Sequence, residues 1–341
     1  MKSKVIAKKI NSEDAVKAPI EKIQEALTES RRVLVASHID PDGDAVGTQL
    51  AMGRYLRDLG KEVHMLIDSQ IPEKYKFLPD IDRIVHVARL EGEPLFDTAL
   101  VLECPTVQRL GTIERFLHDK MTVVHIDHHL DSDPFANINW VDLTASSVGE
   151  MAWEYFSKVG YAIKPSVAEQ LYTAVLTDTG RFRYNSTTAR TMMCAGELIA
   201  AGASPQKICD LVYYNIRPEA MKLIGKVLNG IEYHLDGQVC ILKLTRQMLA
   251  ESGGLESDSE GLVDHTLFTR GVRVGALLKE GNGNGTRVSF RSAHDIDVAE
   301  IAARFGGGGH FNASGCTLPY DLDEAREKVL ALLTEAIHGR S

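Results

Sequence analysis

VLVASHIDPDGDAVGTQLAM, residues 33 to 52, changes character twice. Val33-Leu34-Val35-Ala36 is an apolar, β-branched run of the length expected of a buried strand. Pro41 and Gly43 then punctuate a turn that gathers His38, Asp40, Asp42 and Asp44 within seven residues. From Val46 the apolar positions Leu50, Leu56 and Leu59 follow a helical repeat, with Gly60 as its stop. A strand–loop–helix unit places the loop beyond the carboxyl end of the strand, where open α/β sheets bind their ligands. Carboxylates and an imidazole in one such loop suit a hard or borderline divalent cation. Asp is also an ordinary helix N-cap, so this loop alone leaves both readings open.

Three further apolar runs end in the same kind of residue. Residues 98–102 run into Glu103, residues 121–126 into Asp127-His128-His129, and residues 170–177 into Asp178. We read all four as strand ends. Residues 63–67 and 84–87 add two more strands, and helical patterns recur near 111–118, 145–159 and 187–201. Short strands alternating with helices predict an α/β fold, a doubly wound and mostly parallel sheet. On such a sheet four strand ends share one edge, and their donors converge. Two divalent ions about 3.5–4 Å apart need a shared carboxylate and further ligands from several directions, and they suit an in-line phosphoryl displacement. The chain carries no G-x-S-x-G elbow and no G-x-x-x-x-G-K-[ST] loop, which weighs against acyl transfer and nucleoside triphosphate hydrolysis.

At 341 residues two domains are expected. We place the first at 1–205, with an N-terminal helix entered at Ser12-Glu13-Asp14, a linker at 206–229, and a smaller α/β domain with a mixed sheet at 230–341. In the latter, residues 306–309 are four consecutive glycines before His310. Such a run lets backbone amides approach an anion, with Arg291, His310 and Asn312 as added donors and Phe311 as a stacking face. A flexible loop is the plainer reading. The net charge of −9, from 38 basic and 47 acidic residues, argues against a broad grip on long duplex nucleic acid. It leaves room for a short anionic substrate. Five scattered cysteines without a C-x-x-C pair point to reduced thiols and a cytoplasmic protein. No run approaches the roughly 18 apolar residues of a membrane span, and the first twenty residues lack a signal-peptide core.

Taken together these motifs resemble the DHH phosphoesterase family. The opening loop matches its first motif, His-x-x-Pro-Asp-x-Asp-x-x-Gly, from His38 to Gly47. Asp127-His128-His129 is similar to the triplet that names the family, Asp178-Thr179-Gly180 to its fourth motif, and 305–310 to the signature of the associated C-terminal domain. The resemblance implies a metal-dependent phosphoesterase holding two Mn²⁺ per site, with Mg²⁺ or Co²⁺ as substitutes. It implies metal ligands at His38, Asp42, Asp44, Glu103, His128 and Asp178, and catalytic roles for His129 and Asp127. Arg291, Gly307, Gly308, Gly309, His310 and Asn312 would hold the substrate from the second domain across an interdomain cleft, with a hinge near 205–225. Short RNA oligonucleotides or 3′-phosphoadenosine 5′-phosphate (pAp) are the implied substrates, and a homodimer is one assembly it allows. Other phosphoesters (cyclic dinucleotides, long single strands, pyrophosphate) or a weakened nucleotide sensor are the alternatives. The family's second motif ends its strand on Asp, whereas this chain has Glu103. The extra methylene displaces the carboxylate by about 1.5 Å unless the backbone retreats. Glu103 is nonetheless expected to ligate.

Overall fold

The computed structural model describes residues 19–338 apart from 93, 282, 284, 294 and 295. The expected helix entry at Ser12-Glu13-Asp14 lies outside the described residues. The chain forms two compact units, divided between Asn215 and Ile216.

The first unit holds α1 (Ile20–Glu29), β1 (Arg32–Ala36), α2 (Gly43–Asp58), β2 (Glu62–Ile67), β3 (Ile84–His86), β4 (Thr98–Leu102), β5 (Thr122–Asp127) and β6 (Ile138–Val141). Four helices follow: α3 (Val148–Val159), α4 (Pro165–Asp178), α5 (Ala189–Ala200) and α6 (Pro205–Tyr213). The strands form one sheet in the order β3-β2-β1-β4-β5-β6, and every neighbouring pair is parallel. Buried on both faces, β1 sends Val33 and Val35 into the core shared with α2, α3 and α4. It sends Leu34 and Ala36 to the opposite core with Leu110, Ile113 and Phe116 of a 3-10 segment, Val107–Phe116. The strand order reverses between β1 and β4, so the loops after these two strands flank the crevice where such sheets take ligands.

One expectation is corrected here. The apolar run before Asp178 is helix, not strand: α4 begins with Pro165 at its first turn and ends on Asp178. Val167, Ala168, Leu171, Ala174, Val175 and Leu176 are all buried, so the helix is apolar around most of its circumference. A stretch of that kind has no polar face to reveal the 3.6-residue repeat, and a short window of it reads equally as a buried strand. The strand β6 has only four residues and escaped the sequence reading.

Small residues let α2, α3 and α4 approach closely. A Cβ at Gly43 would stand 2.3 Å from Thr177 Oγ1, and one at Gly47 would stand 2.4 Å from the Gln170 carbonyl oxygen. A Cβ at Gly149 would lie 2.6 Å from Ala174 Cβ. These contacts bring the start of α2, the start of α3 and the end of α4 together. At the far end of the pair, Asp58 accepts from Arg54 Nε at 3.0 Å, Tyr161 Oη at 2.7 Å and Lys164 Nζ at 2.7 Å.

The second unit holds α7 (Pro218–Asn229), β7 (Glu232–His234), β8 (Val239–Leu244), α8 (Arg246–Ser252), β9 (Val274–Glu280), β10 (Thr286–Ser292), α9 (Val298–Ala303), β11 (Gly308–His310), β12 (Ala313–Leu318) and α10 (Leu322–His338). Its sheet runs β11-β12-β10-β9-β8-β7, with β8 and β9 parallel and the other pairs antiparallel. The mixed sheet is covered by α9 and α10 on one face, while Leu242, Leu244 and Leu277 pack with α7 on the other. Residues 206–229, read as a linker of two short helices, hold most of α6 and all of α7: Ile208 and Val212 of α6 join the first unit's core, and Leu223 and Val227 of α7 join the second's. Among the described residues no helix is long and apolar enough to cross a membrane.

Gly47→Ala should lower stability by about 1–3 kcal/mol, because overpacking against the α4 backbone outweighs the gain in helix propensity. A rise in the thermal midpoint would contradict this packing. Asp58 gives a pH signature. Burial acts to raise its carboxyl, but the hydrogen bonds from Lys164, Tyr161 and Arg54 outweigh it and hold the group at about 2. A folded value below the unfolded value of about 3.9 contributes stability above that pH and loses it as pH falls toward 2. Denaturant titrations of the native chain and Asp58→Asn should therefore converge in that window and separate above it.

Candidate metal centre

Three adjacent strand ends and two helices supply the site. Past the end of β1, His38 is buried, and its Nδ1 lies 2.6 Å from the Ile39 carbonyl oxygen. Two acceptors would repel at that distance, so Nδ1 carries the hydrogen and Nε2 presents its lone pair. That nitrogen stands 4.0 Å from Asp42 Oδ1. Asp42 is also the N-cap of α2 and accepts from the Ala45 amide at 3.0 Å, so the cap reading of the opening loop holds while the residue also belongs to the cluster of donors.

Asp44 is wholly buried. Its carboxylate accepts from the Val148 amide at 2.6 Å, the Gly149 amide at 2.8 Å and Thr48 Oγ1 at 2.9 Å. The first two amides open α3, so a buried carboxylate sits on a helix N-terminus where the partial positive charge favours it. Burial still pushes the Asp44 carboxyl above the ordinary range, and Asp42 adds to this.

Glu103 follows β4 and is buried. Its φ of +53° lies in the left-handed region, which costs a non-glycine residue about 1–2 kcal/mol. The backbone has taken up an unusual conformation at the residue whose side chain is one methylene longer than the motif's Asp. Its Oε1 lies 3.3 Å from His128 Nε2 and 3.5 Å from His129 Nε2. His128 Nε2 is also 3.5 Å from Asp178 Oδ2, at the end of α4. His129 Nδ1 donates to Asp127 Oδ1 at 2.8 Å, which fixes Nε2 as the nitrogen facing Glu103.

Three sets of donor atoms each lie within 4.8 Å of one another: His38, Asp42 and Glu103; Glu103, His128 and His129; Asp44, His128 and Asp178. Glu103 belongs to two of them and His128 to two, so the sets form one continuous cluster. The six ligand candidates named from the sequence are thus all gathered here, with His129 and Asp127 beside them. Among the described residues Glu103 Oε2, Asp127 Oδ2 and His128 Nε2 are buried with no hydrogen-bond partner, although His128 Nε2 faces Glu103 and Asp178 as an ion pair. Buried carboxylate oxygens and an imidazole nitrogen left in that state are the donor set a divalent cation takes. The residues present fit such an ion.

The electrostatics agree. Burial raises Glu103 well above the ordinary carboxyl range and Asp178 to about 7. Burial opposes charge on His128, but Glu103 and Asp178 outweigh it and raise the imidazole well above its usual value. His129 rises to about 9 against the same burial, through Glu103 and Asp127. Asp127 falls to about 2, because its contacts with His129 overcome burial.

Two contributors carried no signal in the sequence: the Val148–Gly149 amide pair, and Arg109, whose Nη2 lies 3.3 Å from His38 Nδ1. The second unit's candidates lie in its own sheet. Arg291 donates through Nε to Asp264 at 2.8 Å and through Nη1 to the Phe290 carbonyl at 3.0 Å. Asn312 donates to the Ser292 carbonyl at 3.2 Å and to its hydroxyl at 3.0 Å, tying β10 to the turn before β12. The glycine run is not a free loop: Gly308–His310 is the edge strand β11, paired with β12. A Cβ at Gly307 would stand 2.1 Å from the Gly315 carbonyl oxygen, and one at Gly309 would stand 2.6 Å from that of Ala313. At Gly308 a Cβ would meet open space, so sterics do not require that glycine. The side chain of His310 lies outside the described part of the structure.

A parallel sheet thus carries a histidine–carboxylate cluster at its carboxyl edge, and a mixed-sheet unit follows it in the chain. The sequence pattern of the DHH family's N-terminal domain matches residues 32–177, and that of the DHHA1 domain matches residues 236–339. The chain belongs to the DHH family. It is 31% identical over 308 residues to the bifunctional oligoribonuclease and PAP phosphatase NrnA of Thermus thermophilus, covering 89% of this chain and 90% of that one. It is 28% identical to the protein of the same name from Bacillus subtilis, over 88% of this chain and 92% of the relative. The crystal structure of an exopolyphosphatase-related protein from Bacteroides fragilis superposes with a TM-score of 0.89 at 26% identity, over 98% of this chain and all of that one.

Cations must displace the protons that this cluster holds near neutrality. Titration of the metal-free protein with Mn²⁺ at pH 7 should release protons, and apparent affinity should rise between about pH 6 and 8. Calorimetry in two buffers of different ionisation enthalpy measures this; identical heats in both would contradict it.

Proposed function

We propose that this chain hydrolyses the phosphodiester bonds of short oligoribonucleotides and the 3′-phosphomonoester of pAp, using two Mn²⁺ ions. The names of its relatives supply the substrate class. The observation that carries the mechanism is the position of Glu103, whose carboxylate is shared between the His38–Asp42 set and the His128–His129 set. His38, Asp42, Asp44, Glu103, His128 and Asp178 would hold the pair. Their four carboxylates balance the charge of two divalent ions. When bound, such ions supply positive charge to the phosphoryl oxygens and acidify water.

The protein's own groups do the rest. Asp44 and the amides of α3 keep the α2 end of the cluster from moving. Asp127 holds the hydrogen of His129 on Nδ1, so Nε2 is the nitrogen that meets substrate. In its protonated form the ring can place a hydrogen on the departing oxygen or neutralise a phosphate oxygen. In the second unit, Arg291 has Nε and Nη1 engaged, and its Nη2, which makes no hydrogen bond among the described residues, can serve a phosphate. Gly308, with no steric need to be glycine, admits a ligand close to its backbone. With all five cysteines unpaired, a reducing cytoplasm is the compartment this reading assigns.

The test is a substrate panel: a diribonucleotide, pAp, a cyclic dinucleotide and pyrophosphate, each with Mn²⁺, with Mg²⁺ and after chelation. The first two should be cleaved with Mn²⁺ and spared by chelator, and His129→Ala should lose about 10²–10⁴-fold in rate. Cleavage of pyrophosphate alone, or tight nucleotide binding without turnover, would overturn the proposal.

A further inference from the structure

Resting on the metal-dependent reading above, we infer that Arg109 is a positioning residue for the His38 side of the cluster. It grips the Ile39 peptide at both ends. The Ile39 amide donates to the Arg109 carbonyl at 2.7 Å, and Arg109 Nη2 donates back to the Ile39 carbonyl at 3.4 Å. That same carbonyl accepts the Nδ1 hydrogen of His38 at 2.6 Å. A carbonyl oxygen has two lone pairs, so both donors are accommodated. The peptide that sets the direction of the His38 ring is therefore itself set by Arg109.

The turn that carries Arg109 is anchored independently. The Thr112 amide donates to Asp68 Oδ2, just past β2, at 2.6 Å. Gly111 has φ +62°, and a Cβ there would stand 2.4 Å from that Asp68 oxygen and 2.9 Å from Ile39 Cγ2. The segment after β4 is thus fitted against the ends of β1 and β2 with no space for a side chain at the joint. Among the described residues Arg109 forms no ion pair with a carboxylate, although it borders an acidic cluster. Its guanidinium Nη2 lies 3.4 Å from the Ile39 carbonyl oxygen and 3.3 Å from His38 Nδ1.

A ring nitrogen of a metal-binding histidine that donates to a carbonyl fixes ring direction and donor strength, and removing such support costs about 10–100-fold in metal affinity. Arg109 acts one step behind that carbonyl, and through His38 alone. The experiment counts Mn²⁺ bound to the metal-free full chain by the electron paramagnetic resonance signal of the free ion. It compares the native chain, Arg109→Ala, Arg109→Lys, His38→Ala and the double variant. Arg109→Ala should weaken one equivalent of Mn²⁺ by about 10-fold or more and leave the other unchanged. Arg109→Lys keeps a cationic donor for the carbonyl and should recover most of that loss. On the His38→Ala background, Arg109→Ala should cost nothing further, the non-additivity expected of groups acting as a unit.

Equal weakening of both equivalents, a loss that persists without His38, or no loss at all would each overturn the inference while leaving the metal-dependent reading intact. Failure of the native chain to bind Mn²⁺ would remove both. Melting of each metal-free variant, followed by circular dichroism, separates loss of fold from loss of ligand direction. Should Arg109→Ala not fold, a lysine variant that folds yet shows the one-equivalent loss expected of the alanine would count against the clamp.

Discussion

The first unit depends on one buried anion. Asp44 carries a carboxylate with no solvent contact, and its oxygens are met by the two amides that open α3 and by Thr48. Burying a carboxylate costs several kcal/mol unless hydrogen bonds or opposite charge replace the lost water. The amide pair supplies part of that compensation, and it exists only because Gly149 and Ala174 let α3 lie against α4. The same approach places Asp178 at the end of α4 opposite His128. Helix packing, the solvation of an acid and the assembly of a ligand set are therefore one arrangement.

Much of this was legible in the chain because ligand type and strand register coincide. His38, Glu103 and Asp127-His128-His129 each follow an apolar run, and adjacent parallel strands bring their carboxyl ends to one edge. Asp178 does lie with the other donors, but it ends a helix and not a strand. An apolar helix and a buried strand look alike over eight residues, and only Pro165 hinted at the helix start. Arg109 and the Val148–Gly149 amides were invisible for a different reason. One is an exposed arginine in a 3-10 segment, the others are backbone groups, and neither residue type nor spacing marks them. The glycine run was read as an anion cradle or a loose loop. It is an edge strand in which alternate glycines answer to the backbone of β12, which leaves Gly308 as the position to be explained by something other than packing.

Glu103 shows how a site tolerates a longer side chain. Its backbone sits at a positive φ, a conformation that a non-glycine residue adopts only at a cost. Strain of this sort persists where surrounding structure over-determines it. Here the Glu103 amide donates to the Ile126 carbonyl at 3.0 Å, which extends the β4–β5 ladder one residue beyond the strand and holds the turn in place. The carboxylate of Glu103 then meets His128 at 3.3 Å and His129 at 3.5 Å.

The contact between Gly47 and the Gln170 carbonyl has a consequence for how fast the centre could load. The gap between the Asp42–Asp44 corner and the Asp178 corner is fixed by helix bodies in van der Waals contact, not by the resting shape of a loop. A cage whose width is set this way is finished before its guest arrives. Little conformational searching then remains on entry, and the slow event becomes the shedding of water from the incoming ion, a property of the ion's own chemistry. Discrimination among ions of similar size would on this view be kinetic as well as energetic.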